Sequence, residues 1–225
     1  MIELRHVDKL YEKDWFTLKN INLKINKGEF VFLVGPSGSG KTTLMKLIYM
    51  DEFPTRGEVI VAGFRASKIR RREIPLLRRK IGVVFQDFKL LPDRNAYDNI
   101  AFALQVTGTR RSETQKKVLK ALTDVRLSHR RDAYPYQLSG GEQQKISIAR
   151  ALVHEPFVLL ADEPTGNIDP EGAAEILQLL REINTKGTAI LMATHDLELV
   201  KRLPYRRLQI EKGEIKSDTS LREKK

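Results

Sequence analysis

The 225-residue sequence contains no cysteine, which excludes disulfide bonds and cysteine-based zinc sites. Its four histidines are scattered and show no metal-ligand spacing. No apolar run approaches the ~20 residues that a membrane-spanning helix needs, and the first residues lack the pattern of a signal peptide. We therefore expect a soluble protein of a reducing compartment, whose contact with any membrane is made through a partner.

Charge is unbalanced, because 40 lysines and arginines against 29 acidic residues give a formal net charge of +11. The basic clusters are spread along the chain, at 70–72, 78–80, 110–111, 130–131, 206–207 and 222–225. Each cluster alone is typical of a solvated surface, whereas their sum favours attraction to polyanions. An anionic inner-leaflet lipid surface and nucleic acid both fit, and charge does not decide between them.

A glycine-rich loop of the form G-x-x-x-x-G-K-[ST] is the strongest functional signal in the chain. It follows the apolar run 30–34, typical of a buried parallel strand, and precedes apolar residues at helical spacing. Its backbone N–H groups would converge on an anion, helped by roughly half a positive charge at the helix N-terminus. Lys41 would reach the terminal phosphates and the Thr42 hydroxyl would hold Mg²⁺. The alternative is a glycine-rich turn before a core helix. The predicted nucleotide-binding residues of the loop are Gly35, Pro36, Ser37, Gly38, Ser39, Gly40, Lys41, Thr42 and Thr43.

Two acids directly follow the apolar run 157–161. Ligands bind at the carboxyl ends of strands in open α/β sheets, so these acids stand where a nucleotide site needs them. We interpret Asp162 as a ligand of Mg²⁺ through water and Glu163 as the group that polarises the attacking water. The alternative is an ordinary surface turn with two acids, but the phosphate loop already requires such a pair.

A second anion site is predicted at the stretch 138–144, Leu-Ser-Gly-Gly-Glu-Gln-Gln. Ser139 and Glu142 form the capping-box pattern at the start of a helix that runs to Val153. Gly140 and Gly141 leave bare backbone N–H groups at this helix N-terminus. About a hundred residues separate the site from Lys41, so we expect it to bind the γ-phosphate held by another copy of the chain. The resulting hypothesis is a head-to-tail dimer that closes over two nucleotides.

Three single residues are weaker candidates. Gln86, at the end of a strand at 81–85, could contact Mg²⁺ and the water, although a lone glutamine is usually polar surface. His195, after a strand at 188–193, could contact the γ-phosphate, although a histidine there is more often structural. Tyr11, at the end of the first strand, could stack on adenine or could simply be a packing residue.

The order of elements predicts an α/β fold with a parallel-sheet core and a helical insertion. Further strands are expected at 2–10, 18–25 and 57–62, and a hairpin at 207–217 that turns at Lys212-Gly213. Helices are expected at 112–125, 139–153 and 172–184. We predict one domain over 1–225, with a core and β subdomain at about 1–86 and 157–225, and a helical subdomain at about 87–156.

Together these stretches resemble the ATP-binding subunits of ABC transporters over nearly the whole chain. The loop at 35–43 matches Walker A, 138–144 the signature motif and 157–163 Walker B, while Gln86, 167–169 and His195 match the Q-loop, the D-loop and the switch histidine. The resemblance implies a P-loop NTPase of the ABC type, with a mainly parallel core sheet, an antiparallel β subdomain and Mg²⁺-dependent hydrolysis of ATP. It also implies that Asp169 of the D-loop lies at the nucleotide.

Residues 162–169 resemble the MacB/LolD/FtsE branch of this family, with Ile168 in place of the more usual leucine. The stretch 74–92, and above all Asp87-Phe88-Lys89, favours the cell-division members of that branch. This implies a peripheral protein on the cytoplasmic face of the inner membrane at the division site, with an integral membrane partner resembling FtsX. Its task would be to transmit ATP-driven motion through the surface 86–92 to cell-wall hydrolases.

Three alternatives are left open. An exporter or lipoprotein-release ATPase of the same branch has the same core chemistry. A DNA-repair or chromosome-structure ATPase would suit the positive charge, but such proteins usually carry a long coiled coil or zinc modules between the loop and the signature, so nucleic acid is the weaker prediction. A non-catalytic nucleotide-binding scaffold is disfavoured by the presence of Glu163 and His195.

Overall fold

The computed structural model describes residues 1–12 and 15–219, so the predicted basic cluster at 222–225 lies outside the described residues. The strands are β1 (Ile2–Glu12), β2 (Trp15–Ile25), β3 (Phe30–Val34), β4 (Arg56–Val61), β5 (Phe64–Arg65), β6 (Ile81–Val84), β7 (Val158–Asp162), β8 (Ala189–Thr194), β9 (Arg206–Glu211) and β10 (Glu214–Asp218). The helices are α1 (Lys41–Ile48), α2 (Ile74–Arg78), α3 (Ala96–Gln105), α4 (Arg111–Asp124), α5 (Gly140–Leu152), α6 (Pro170–Thr185) and α7 (Leu197–Lys201).

A six-stranded sheet with the order β10-β9-β3-β8-β7-β6 forms the centre of the molecule. Strands β9, β3, β8, β7 and β6 are parallel, and the edge strand β10 pairs antiparallel with β9. All five residues of β3 are buried, as expected of a parallel strand that is covered on both faces. The carboxyl ends of β3, β6, β7 and β8 therefore meet at one edge of this sheet, and the site lies at that edge.

Alternate residues of the central strands contribute to two separate hydrophobic cores, because successive side chains of a strand point to opposite faces. Phe32 and Val34 of β3 pack in the core formed with helices α3 to α6. Val31 and Leu33 pack in the other core, against α1 and the second sheet. That second sheet is antiparallel and four-stranded, with the order β2-β1-β4-β5. The predicted fold class, a mainly parallel core with an antiparallel β sheet and a helical insertion, is confirmed.

Helices α3, α4 and α5 lie between β6 and β7 in the chain and form the helical insertion. The side chain of Asn95 begins α3 by accepting a hydrogen bond from the backbone N–H of Asp98. Val118 and Leu122 of α4 are fully buried in the same core as the apolar face of α5. The proposed subdomain boundaries at about 86 and 157 remain a prediction.

The predicted helices and strands lie where the structure has them, with shifts of a few residues at their ends. The five-residue helices α2 and α7 were not predicted, because so short a helix shows almost no periodic pattern. Strand β6 ends at Val84, which puts Gln86 in a loop rather than directly after the strand. Strand β1 continues to Glu12, so Tyr11 does not end it. Within 1–12 and 15–219, no helix combines the length and apolar character needed to cross a bilayer.

Candidate nucleotide-binding site

The glycine-rich loop connects the end of β3 at Val34 to the start of α1 at Lys41. Gly40 lies in the left-handed region with φ 108°, where only glycine is free of strain. A Cβ at Gly35 would lie 2.1 Å from the carbonyl oxygen of Ile210, so no other residue fits there. The loop is thus held close to strand β9, and this contact directs it over the edge of the central sheet.

Lys41 turns its side chain back into the loop. Its Nζ donates to the carbonyl oxygens of Gly35, at 2.8 Å, and Pro36, at 3.1 Å. The same ammonium lies 3.6 Å from Oε1 of Glu163, and the lysine side chain is only 8% exposed. A buried cation at the N-terminus of a helix adds to the positive end of the helix dipole, so the loop is suited to bind an anion.

Asp162 and Thr42 place two oxygen ligands together. The Thr42 hydroxyl donates to Oδ2 of Asp162 at 2.8 Å. Burial raises the pKa of the Asp162 carboxyl and the nearby Glu163 charge raises it further, while the Thr42 hydroxyl and Lys41 act in the opposite direction. Hydroxyl and carboxylate oxygens are the donors that Mg²⁺ prefers. The described residues contain no cluster of three metal-ligating His, Cys, Asp or Glu side chains, so this pair fits an ion that takes its other ligands from phosphates and water.

Glu163 follows β7 and is held in a defined conformation. Its φ is +49°, unusual for a residue with a side chain, and its backbone N–H donates to the carbonyl of Ala193 on β8 at 3.0 Å. Oε2 of the carboxylate lies 2.9 Å from Nδ1 of His195, which is 66% exposed. The two carboxylate oxygens thus face Lys41 and His195 separately.

Gln86 approaches this group from the loop after β6. Its Nε2 lies 3.4 Å from Oδ1 of Asn167, and Asn167 returns a hydrogen bond of 3.2 Å to the Gln86 carbonyl. A cleft of about 590 Å³ joins these groups, a volume within the range of small-ligand sites. Its walls are formed by Thr17, Pro36, Ser37, Gly38, Gly40, Lys41, Thr42, Thr43, Gln86, Asp162, Glu163 and His195.

The predicted second anion site is a well-formed helix N-terminus. The Ser139 hydroxyl accepts from the N–H of Glu142 at 3.2 Å, and Glu142 accepts from the N–H of Ser139 at 2.9 Å, so the capping box is confirmed. Burial would raise the pKa of Glu142, but hydrogen bonds from Ser139 and Arg130 outweigh it and hold this pKa below its ordinary value. Ser139, Gly140, Gly141 and Glu142 do not line the cleft around Lys41. One chain alone therefore leaves the two anion sites apart.

The family model for ABC transporters matches residues 18–166. This chain belongs to the ABC transporter family. It is 49% identical over 220 residues to the cell division ATP-binding protein FtsE of Bacillus subtilis, which covers 98% of this chain and 96% of that protein. It is 50% identical over 219 residues to FtsE of Mycobacterium tuberculosis, with 97% and 95% covered, and 44% identical over 215 residues to FtsE of Escherichia coli strain K12, with 96% and 97% covered.

Solved structures of ABC cassettes share the fold over nearly the full length. A dimeric ATP-binding cassette in a post-hydrolysis state, bound to ADP and Pi, has a TM-score of 0.86 at 35% identity and covers 97% of both chains. The cbiO1 protein of Clostridium perfringens, part of the ABC transporter complex cbiONQ, has a TM-score of 0.89 at 29% identity, with 99% and 90% covered. The chain is thus an ABC ATPase.

Besides the signature residues, four residues predicted to bind nucleotide do not line the cleft of this ABC chain: Tyr11, Gly35, Ser39 and Asp169. Tyr11 is half exposed, with the Lys9 ammonium 4.9 Å from its ring centroid. Asp169 caps helix α6, where its Oδ1 accepts from the N–H of Gly172 at 2.9 Å. The assignment of Tyr11 and Asp169 to the nucleotide remains a prediction.

Two polar contacts near the site were not found from the sequence. One is the pairing of Asn167 with Gln86, although the D-loop match at 167–169 was a signal that the segment belongs near the nucleotide. The other is the buried side chain of Gln144, whose Nε2 donates to the carbonyl of Pro164 at 2.8 Å. A second glutamine after the signature glycines carries no local pattern that predicts this contact.

Proposed function

We propose that this chain is the ATP-hydrolysing subunit of a membrane complex of the FtsE type and that it acts in cell division. The observation that carries the proposal is the high identity to FtsE proteins along almost the whole chain. The proposal is also supported by the cleft, which is lined by Lys41, Asp162, Glu163 and His195. Such a chain would act peripherally on the cytoplasmic face of the inner membrane, at the division site.

In this proposal the loop residues 35–43 bind the phosphates through their backbone N–H groups, and Lys41 exchanges its carbonyl partners for phosphate oxygens. Thr42 and Asp162 would hold Mg²⁺, which neutralises the charge that develops on the transferred phosphoryl group. Glu163 accepts the proton of the attacking water on Oε2, the carboxylate oxygen that faces His195. His195 and Gln86, which also line the cleft, would orient the water and the γ-phosphate. Tyr11 stacks on the adenine.

The signature site would act on the nucleotide of a second copy of the chain. Ser139, Gly140 and Gly141 present N–H groups and a hydroxyl to the γ-phosphate, while Glu142 keeps the helix N-terminus formed. Asp169 would hold the D-loop at the interface of the head-to-tail dimer. Triphosphate favours closure because it supplies a contact that diphosphate lacks. The dimeric cassette bound to ADP and Pi supports this arrangement by similarity.

Motion of the dimer would pass to an integral membrane partner resembling FtsX, and from there to cell-wall hydrolases. The surface at 86–92 is proposed as the contact, since it joins the site residue Gln86 to the helical subdomain at about 87–156. The basic clusters of the described residues would face the anionic inner leaflet.

A pull-down from membranes of the native host tests the proposal. The Glu163→Gln variant with ATP and Mg²⁺ should retain one integral membrane protein, and Lys41→Ala, which lacks the phosphate-binding ammonium, should not. A retained FtsX-like protein supports the cell-division role. A retained exporter or lipoprotein-release permease would assign the chain to the alternative, and retention of DNA without a membrane protein would contradict both.

A further inference from the structure

Within the described part of the chain, Gln144 of helix α5 has a buried side-chain amide whose nitrogen is hydrogen-bonded and whose oxygen is not. The residue is fully buried, and its Nε2 donates to the carbonyl of Pro164 at 2.8 Å and reaches the carbonyl of Phe85 at 3.5 Å. Its Oε1 is buried and has no hydrogen-bond partner among the described residues. An unpaired buried acceptor opposes folding, so stability alone does not account for a glutamine here. Among the described residues, only the Nε2 end of this side chain has hydrogen-bond partners.

The carbonyl that accepts this hydrogen bond belongs to the turn that aims Glu163. The N–H of Gly166 donates to the Glu163 carbonyl at 3.1 Å, which closes a turn with Pro164 inside it. Glu163 has a left-handed backbone at φ +49°, a conformation that persists in a side-chain-bearing residue only where its surroundings impose it. Gln144 fixes the orientation of the peptide group after Pro164, and so supplies part of that constraint.

The same helix also holds the loop that carries Gln86. The guanidinium of Arg150 donates to the carbonyls of Phe88, at 2.9 Å, and Lys89, at 2.7 Å, and both of these residues have positive φ. Helix α5 therefore contacts the Gln86 loop and the Glu163 turn through side chains, while its N-terminus carries Gly140 and Gly141. Gln144 stands one helical turn from those glycines and bonds to the residue that follows Glu163.

We propose that Gln144 is a positioning residue that couples the placement of the signature helix to the aim of Glu163. When the N-terminus of α5 is seated on an anion, the hydrogen bond to Pro164 holds the turn in the conformation that directs the carboxylate into the cleft. The inference rests on the proposed role of Glu163 in hydrolysis. It extends that role by a residue that does not line the cleft.

Gln144→Met is the direct test, because methionine has similar length and volume but no donor. Gln144→Asn keeps the amide but is too short to reach Pro164. Gln178→Met is the matched control, since it makes the same substitution at an exposed glutamine of α6 whose Nε2 donates to Oε1 of Glu182 at 3.1 Å, away from Pro164. Steady-state ATP turnover, binding of a fluorescent ATP analogue and thermal unfolding are measured for the parent and all variants.

Both Gln144 variants should lose about tenfold or more in kcat, because small displacements of a catalytic group are costly in rate. Their KM and their affinity for the fluorescent analogue should stay near those of the parent, as should every parameter of Gln178→Met. The Tm should stay near that of the parent for Gln144→Met, which removes the unpaired acceptor together with the donor, and should fall for Gln144→Asn, whose buried amide lacks a partner. Parent-like kcat in a folded Gln144 variant overturns the inference. Joint loss of Tm and nucleotide affinity, or failure of both variants to fold, also overturns it, because Gln144 would then be a structural residue. A parent that binds but never hydrolyses ATP contradicts the proposed function instead.

Discussion

The phosphate loop and the signature helix are both helix N-termini that expose backbone N–H groups, yet their polar side chains are arranged differently. In the loop, Lys41 is buried and its ammonium lies among groups that a phosphate could replace, with Asp162 and Glu163 close by. At the signature, Ser139 and Glu142 form reciprocal side-chain-to-backbone hydrogen bonds, and Nε of Arg130 lies 2.9 Å from Oε1 of Glu142. The first site groups charged side chains around its backbone donors, whereas the second offers backbone donors and the Ser139 hydroxyl.

This difference indicates a division of labour. In the proposed mechanism the loop would bind and process a nucleotide with groups of its own chain, whereas the signature would add contacts to a phosphate held by a second copy of the chain. Substitutions around the phosphate loop should therefore change nucleotide binding or hydrolysis, whereas substitutions at the signature should change dimer closure.

The largest effect is expected for Glu163→Gln. Loss of a positioned base costs about a hundred- to ten-thousand-fold in rate, so kcat should fall by that amount while ATP binding is retained. Single-turnover hydrolysis measures the loss, and ATP-dependent dimers should accumulate in solution scattering. Normal turnover would remove Glu163 from the mechanism.

Lys41→Ala should weaken ATP affinity by about a hundredfold, in line with the cost of removing one partner of a desolvated charge pair. Titration with a fluorescent nucleotide checks this. Lys46→Ala is the control, because Lys46 lies in the last turn of the same helix and does not line the cleft. Equal affinities for the two variants would show that the loop lysine does not bind phosphate.

Gly141→Asp should weaken ATP-driven dimer formation without changing ATP binding. A carboxylate in the first turn of α5 is favourable for the helix, so the Tm should hold, but its charge opposes an incoming phosphate. ATP binding should remain at the parent level, while ATP-driven dimer formation weakens by about tenfold or more, as measured by scattering in the Glu163→Gln background. Gly141→Ala adds bulk without charge, and within one chain its Cβ meets only ordinary contacts of 3.8 Å, so a larger loss for Gly141→Asp than for Gly141→Ala measures the effect of the charge. Full dimer formation by the Asp variant would place the signature outside the interface.

The smallest effect concerns the pH dependence of the capping box. Because the pKa of Glu142 is lowered in the folded chain, its charge stabilises the fold above the ordinary value of 4.5, and this contribution disappears as pH falls through the lowered pKa. Thermal unfolding of the parent and Glu142→Gln should differ at pH 7 by no more than about 1 kcal/mol, since the carboxylate is partly exposed. The two curves should converge as the pH falls below the lowered pKa of Glu142, and a constant difference would mean that the charge plays no part.

The sequence by itself determined the local elements of this protein. The apolar run of β3, the glycine loop and the S-x-x-E cap each fix a structure through steric and hydrogen-bonding rules that act within a few residues. For the same reason the positions of Asp162 and Glu163 at a strand end could be predicted before any contact was known.

Only the tertiary structure decided which groups meet. The pairing of Gln86 with Asn167, the reach of Gln144 to Pro164 and the separation of Ser139 from Lys41 each depend on how helices α3 to α6 pack against the central sheet. Residues 20 and 81 positions apart come together there, and the local pattern around each of them is the same whether or not they meet.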